Sequence, residues 1–180
     1  MSGTLWRLPD PPLPDKPKLF AGVDVGLQGA VGIVDEGGAF VAVVDLPIVI
    51  APWNRRMICG RQLADLAAEY DPCFSIIERV SSRPGEGVVS AFSFGYSAGI
   101  IAGVWCTHLL PYQLLLPQTW RKRMGLSAGM PKSASIDLAL TLFPDAAPHI
   151  TLKCHDGRAE ALLLAELARR TKVAGAFDPA

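Results

Sequence analysis

Four carboxylates stand where a charge is expensive or crowded. Asp24 lies within the apolar run Phe20-Ala21-Gly22-Val23-Asp24-Val25-Gly26, and Glu78 closes the run Phe74-Ser75-Ile76-Ile77-Glu78, just before a loop holding Pro84, Gly85 and Gly87. Burying either charge is costly unless it is paired or coordinates a metal. Asp156 and Glu160 are four residues apart, so on a helix both project from one face near its N-terminus. Like charges that close disfavour each other unless a cation lies between them. Each acid also has a plain structural explanation. Asp24 can be a strand-end turn former, Glu78 a partner of Arg79 or Arg83, Asp156 an N-cap and Glu160 a first-turn acid favoured by the helix dipole. Brought together, however, the four form the ligand set of a two-metal phosphodiester site. Oxygen donors suit Mg2+ or Mn2+. Two such ions about 4 Å apart generate hydroxide and stabilise the leaving oxygen of an in-line displacement.

Convergence depends on the elements that carry the acids. Strand-like runs rich in Val and Ile span 19–25, 30–34 and 40–46, separated by 26–29 and by Asp35-Glu36-Gly37-Gly38. Links this short join antiparallel neighbours, so these runs predict a three-stranded meander. A helix follows at 59–70, with Leu63, Leu66 and Ala67 on one face, then a strand at 73–80. The small-residue-rich stretch 88–105 reads as a long helix and 112–116 as a strand. The rest turns helical at 117–124, 132–142 and 155–172, punctuated by Pro117, Pro131 and Pro144. Three antiparallel strands followed by alternating helix and strand predict an α/β fold. Its five-stranded mixed sheet, flanked by helices, has the connectivity of the ribonuclease-H-like class. On it, acids on the first strand, the fourth strand and the last helix converge.

The bulk numbers fit one domain: 180 residues, 50% of them hydrophobic. Residues 1–17 hold Pro9, Pro11, Pro12, Pro14 and Pro17 and read as a flexible arm; 18–172 is the domain and 173–180 a flexible tail. The apolar stretch 88–105 is interrupted by Ser90, Ser93, Gly95, Ser97, Gly99 and Gly103, which predicts a packed helix rather than a membrane span. More than one of its faces is apolar, so part of it is expected to be buried against a second copy in a two-fold dimer. The four cysteines lack metal or disulfide spacing, and the N-terminus lacks a secretory pattern; a cytoplasmic protein with reduced thiols is expected, with no small-molecule cofactor. Net charge is zero, but its distribution is uneven. No Asp or Glu occurs from 87 to 136, while Arg121, Lys122, Arg123 and Lys132 fall inside, a +4 segment that predicts a phosphate-binding face. An ordinary solvated helix face carries the same pattern.

On these residues the chain resembles the RuvC-like Holliday junction resolvases, especially the short members found in bacteriophages. The matching stretches are Gly22-Val23-Asp24-Val25-Gly26 with Gly29-Ala30-Val31-Gly32, then Ile76-Ile77-Glu78-Arg79-Val80 with Phe92-Ser93-Phe94-Gly95, and His155-Asp156-Gly157-Arg158-Ala159-Glu160. The segment Pro117-Gln118-Thr119-Trp120-Arg121-Lys122, with Lys132, is similar to the family's basic region. The resemblance implies a homodimeric, Mg2+-dependent endonuclease that cuts branched DNA. Asp24, Glu78, Asp156 and Glu160 would be ligands of two metal ions. Lys132 would be a basic catalytic residue near the scissile phosphate, also touching DNA, and Arg121, Lys122 and Arg123 would contact the backbone. His155 is an alternative ligand. Ser81 and Ser82 stand where cellular relatives place a wedging aromatic residue, which leaves the mode of junction opening unassigned. The alternatives within this fold are a broad-specificity fork and flap nuclease and a non-catalytic nucleic-acid-binding module.

Overall fold

Runs of Val, Ile and Phe cut by glycine and aspartate build a sheet, and two glycines within it decide how closely the last helix approaches. A computed structural model describes residues 16–173 except 53, 82–84, 86 and 132. Strands β1 (Leu19–Val23), β2 (Ala30–Asp35) and β3 (Phe40–Asp45) form an antiparallel meander with Gly22 paired to Gly32. A small separate hairpin, β4 (Ile48–Ile50) and β5 (Arg56–Ile58), precedes α1 (Gly60–Tyr70). Strand β6 (Phe74–Glu78) returns parallel to β1, and after α2 (Val88–Thr107), β7 (Tyr112–Leu115) adds parallel to β6. The sheet order is β3-β2-β1-β6-β7, the predicted five-stranded mixed sheet. Helices α3 (Pro117–Arg123), α4 (Ser133–Leu142), α5 (Ala147–Ile150) and α6 (Asp156–Val173) complete the described chain.

Alternation along the strands divides the core between two faces. Phe20, Phe74 and Ile76 meet Trp120, Leu162 and Leu163 on one side. Ala21, Val23 and Ile77 meet Leu63, Ile101 and Trp105 on the other. The central strands are thus covered on both faces, which is why they read as continuous apolar runs. A Cβ at Gly22 would stand 2.2 Å from both Ala161 O and Ala165 N, and one at Gly32 2.6 Å from Ala161 C and Leu162 N. Helix α6 therefore lies backbone-to-backbone on β1 and β2. Glycine in a strand costs roughly 0.5–1 kcal/mol. The close fit buries Leu162, Leu163, Leu164 and Leu167, each contributing about 1.5–3 kcal/mol. Burial wins, and the start of α6 is carried over the end of β1. Arg158 secures that start: its guanidinium donates twice to Asp45 at 2.6 Å, at the end of β3, and once to His149 O at 3.0 Å.

Local readings differ from the structure in four places. β1 ends at Val23, so Asp24 stands just beyond the strand, its N–H donating to Ala30 O at 3.0 Å. The β4–β5 hairpin is an additional element, and helical turns over Pro144–Ala146 and Lys153–His155 join α5 between the two last predicted helices. Helix α2 runs on to Thr107 and buries only Ser97, Ile101 and Trp105. Among the described residues it is the one helix with the length and apolarity of a membrane span, and here it packs across the sheet beside α1. All but two residues of the predicted arm, and 174–180 of the predicted tail, lie outside the described residues.

Candidate metal centre

Parallel pairing sets the first two acids side by side. Val23 on β1 is in register with Ile77 on β6, so Asp24 and Glu78 follow at the C-terminal ends of adjacent strands. Glu160, one turn into α6, reaches the same point because the glycine contacts let the helix sit down on β1. Ligand oxygens of Asp24, Glu78 and Glu160 all lie within 4.8 Å of one another. Oxygens on opposite sides of one Mg2+ stand about 4.2 Å apart, so small side-chain movements let the trio hold an ion. The donor set, carboxylate oxygen throughout, suits Mg2+ or Mn2+. Asp156 opens α6 and lines the same cleft, with Oδ1 accepting the Gly157 N–H at 3.1 Å, but it stands outside the tight trio. Gly157 is tightly placed too: a Cβ there would meet Gln28 O at 2.7 Å and Asp24 Oδ2 at 2.8 Å.

The electrostatics register the crowding. The Asp24 carboxyl is pushed well above its ordinary value of 3.8, first by burial and then by the negative charges of Glu78, Glu160 and Asp156. All four predicted acids thus act on one point, and a cation there would relieve both burial and repulsion.

Helices α3 and α4 supply donors to the cluster. The indole Nε1–H of Trp120 donates to Glu78 Oε2 at 2.7 Å. Arg121 is ion-paired with Glu160 Oε1, which also accepts from Ser135 Oγ at 3.0 Å. The Arg121 guanidinium lies 5.4 Å from the Trp120 ring centroid. Of the three basic residues on α3, Arg121 turns inward to the acids while Lys122 and Arg123 stay exposed. Lys132 lies outside the described residues. His155 does not join the trio, and its buried Nδ1 has no hydrogen-bond partner among the described residues.

Asp24, Asp156 and Glu160 line a groove of about 1030 Å³ that runs on between the β4–β5 hairpin, with Arg55 and Arg56, and the start of α2, with Phe92 and Tyr96. That is at the upper end of the range of about 300–1,000 Å³ usual for ligand pockets. Sequence reading missed Trp120 and Ser135 as donors because their partners are 42 and 25 positions away. The hairpin did leave a signal: Ile48-Val49-Ile50 and Met57-Ile58 flank a turn with Pro52 and Asn54.

No family model matches the chain. It is similar to the chloroplastic Holliday junction resolvase MOC1 of Chlamydomonas reinhardtii, with 28% identity over 151 residues, covering 71% of this chain and 17% of the relative. The chain therefore spans under a fifth of that relative's length. Among solved structures, RuvC of T. thermophilus in complex with a Holliday junction substrate matches with a TM-score of 0.58 and 14% identity, over 88% of this chain and 96% of that one. A second Thermus thermophilus RuvC structure matches with a TM-score of 0.53 and 12% identity, over 87% of this chain and 96% of that one. The mixed sheet and its flanking helices are those of the RuvC-like, ribonuclease-H-like fold.

Proposed function

We propose that this RuvC-like chain is a divalent-metal-dependent endonuclease that resolves four-way DNA junctions, with Asp24, Glu78, Glu160 and Asp156 as its metal-binding carboxylates. The observation that carries this reading is the meeting of Asp24, Glu78 and Glu160 within 4.8 Å at the ends of β1, β6 and the first turns of α6. Two Mg2+ or Mn2+ ions, when bound, supply an activated water and Lewis-acid polarisation of the phosphodiester. The chain's own part is to hold the acids together against their repulsion and to seat the DNA backbone. Exposed Lys122 and Arg123 contact phosphates, and Lys132 stabilises charge at the phosphate being cut. Similarity to MOC1, named a Holliday junction resolvase, favours four-way DNA as the substrate. A non-catalytic binding module would have no need to keep all four acids acting on one point.

The test is incubation of the pure protein with labelled four-way junction, replication fork and linear duplex, with and without Mg2+. Symmetric cutting of the junction that requires Mg2+ and spares linear duplex is the expected result. Equal cutting of fork and junction makes it a general branched-DNA nuclease. Binding without cleavage under any divalent ion makes it a binding module.

Two symmetric cuts need two active sites, and α2 offers the surface to pair them. Val88 is 85% and Phe92 73% exposed, with Val89, Phe94 and Tyr96 also open to solvent. A two-fold copy laid along α2 would cover this apolar face. Light scattering at micromolar concentration should give the mass of two chains, and a monomer at that concentration counts against the pairing.

A further inference from the structure

Trp120 is fully buried, at 0% exposure, yet it ends on a charge: its indole N–H donates to Glu78 Oε2 at 2.7 Å. Its ring is packed among the apolar side chains between the sheet and α6, where phenylalanine would fill much of the space. What only the indole adds is one N–H on a rigid frame with two torsions, so the direction of the hydrogen bond is set by the packing of the ring. Glu78 ends a strand, and its carboxylate swings on three torsions unless something holds it.

We propose that Trp120 is a positioning residue for the metal centre, orienting the Glu78 carboxylate toward Asp24 and Glu160 before an ion arrives. The inference rests on the metal-centre reading above. Neighbouring Arg121 and Ser135 do the equivalent for Glu160, so one side of the cluster is built by donors from α3 and α4. The molecule contains its own control. Trp105 is equally buried and donates its Nε1–H at 2.9 Å to Ser75 Oγ, a hydroxyl on the same strand β6. Replacing either tryptophan by phenylalanine removes one indole hydrogen bond, buried at Trp105 and part-buried at Trp120, and the same ring volume. Only one of the two losses removes a donor from a carboxylate of the cluster.

The experiment measures Mn2+ affinity by calorimetry on the full chain for wild type, Trp120→Phe and Trp105→Phe, with metal-free melting temperatures alongside. Losing a donor that orients a metal ligand costs about 10–100-fold in metal affinity, so Trp120→Phe should weaken Mn2+ binding by that factor. Trp105→Phe should bind Mn2+ like the wild type while melting lower to a similar extent. Cleavage titrated with Mn2+ should show a raised metal requirement in Trp120→Phe, with the rate largely restored at saturation. Equal Mn2+ affinities of the two variants overturn the proposal while leaving the metal site intact. A wild-type chain that binds no Mn2+ overturns the metal reading and this inference together. Should Trp120→Phe fail to fold, β-(3-benzothienyl)alanine at position 120 keeps the ring shape with sulfur in place of the N–H. Unchanged Mn2+ affinity there overturns the proposal equally.

Discussion

Asp24→Asn should cut Mg2+-dependent junction cleavage by about a thousandfold or more while junction binding stays unchanged or tightens. Asparagine keeps the shape and removes the charge at the point where the other acids converge, so an ion loses its central anionic ligand. DNA phosphates, in contrast, lose a repulsive neighbour. The same substitution should act on folding with the opposite sign. Burial and three nearby carboxylates raise the Asp24 carboxyl well above 3.8, so the folded state holds this proton more tightly than the unfolded chain. Stability from that preference is fully present below about pH 3.8 and is lost as pH rises through the folded-state value. At neutral pH metal-free Asp24→Asn should therefore melt above the wild type, the gap closing as the pH is lowered. Added Mn2+ should raise the melting temperature of the wild type and not of the variant. A wild-type chain that melts no lower than Asp24→Asn at pH 7 would sink the crowded-acid account. Full cleavage by the variant would sink the catalytic one.

Lys132→Ala should lower the cleavage rate at saturating DNA by about ten- to a thousandfold with little change in affinity, the effect of losing one electrostatic stabiliser at the reacting phosphate. Alanine at both Lys122 and Arg123 should do the reverse. Those side chains are exposed on α3, so their loss should weaken binding to every DNA shape alike. It should also flatten the plot of log affinity against log salt by about 0.9 for each duplex phosphate contact removed. Arg121 does not belong in that pair, because its guanidinium is engaged by Glu160. If Lys132→Ala loses binding and cuts normally at saturation, it is one more phosphate contact and not a catalytic group.

The carboxylates were legible because each broke a local rule. Asp24 and Glu78 end apolar runs, and Asp156 and Glu160 repeat at a helical spacing at the start of the last helix. The antiparallel meander and the mixed character of the sheet were legible for a similar reason. Short glycine-bearing links join antiparallel neighbours, and helix-bearing links suit parallel ones. That β6 adds beside β1 and not beside β3 was decided by the tertiary structure. The dense apolar signal of α2 was visible as well, but a pattern with several apolar faces does not say which face a sheet covers. The structure covers Ser97, Ile101 and Trp105 and leaves Phe92 and its neighbours exposed.

Composition, spacing and periodicity thus determined the five strands of the mixed sheet, its main helices and the acids that stand out locally, since these depend on neighbours along the chain. Tertiary structure alone decided which acids come closest: Asp24, Glu78 and Glu160 form the trio, and Asp156 stands at its margin. That choice turns on how deeply α6 settles onto β1 and β2, a distance set by the missing side chains of Gly22 and Gly32. It also decided that Trp120 and Arg121, neighbours in a basic stretch, face inward onto Glu78 and Glu160. Hydrogen bonds across 42 and 39 positions leave no periodic trace, because their partners meet only after the sheet and its covering helices have closed around them.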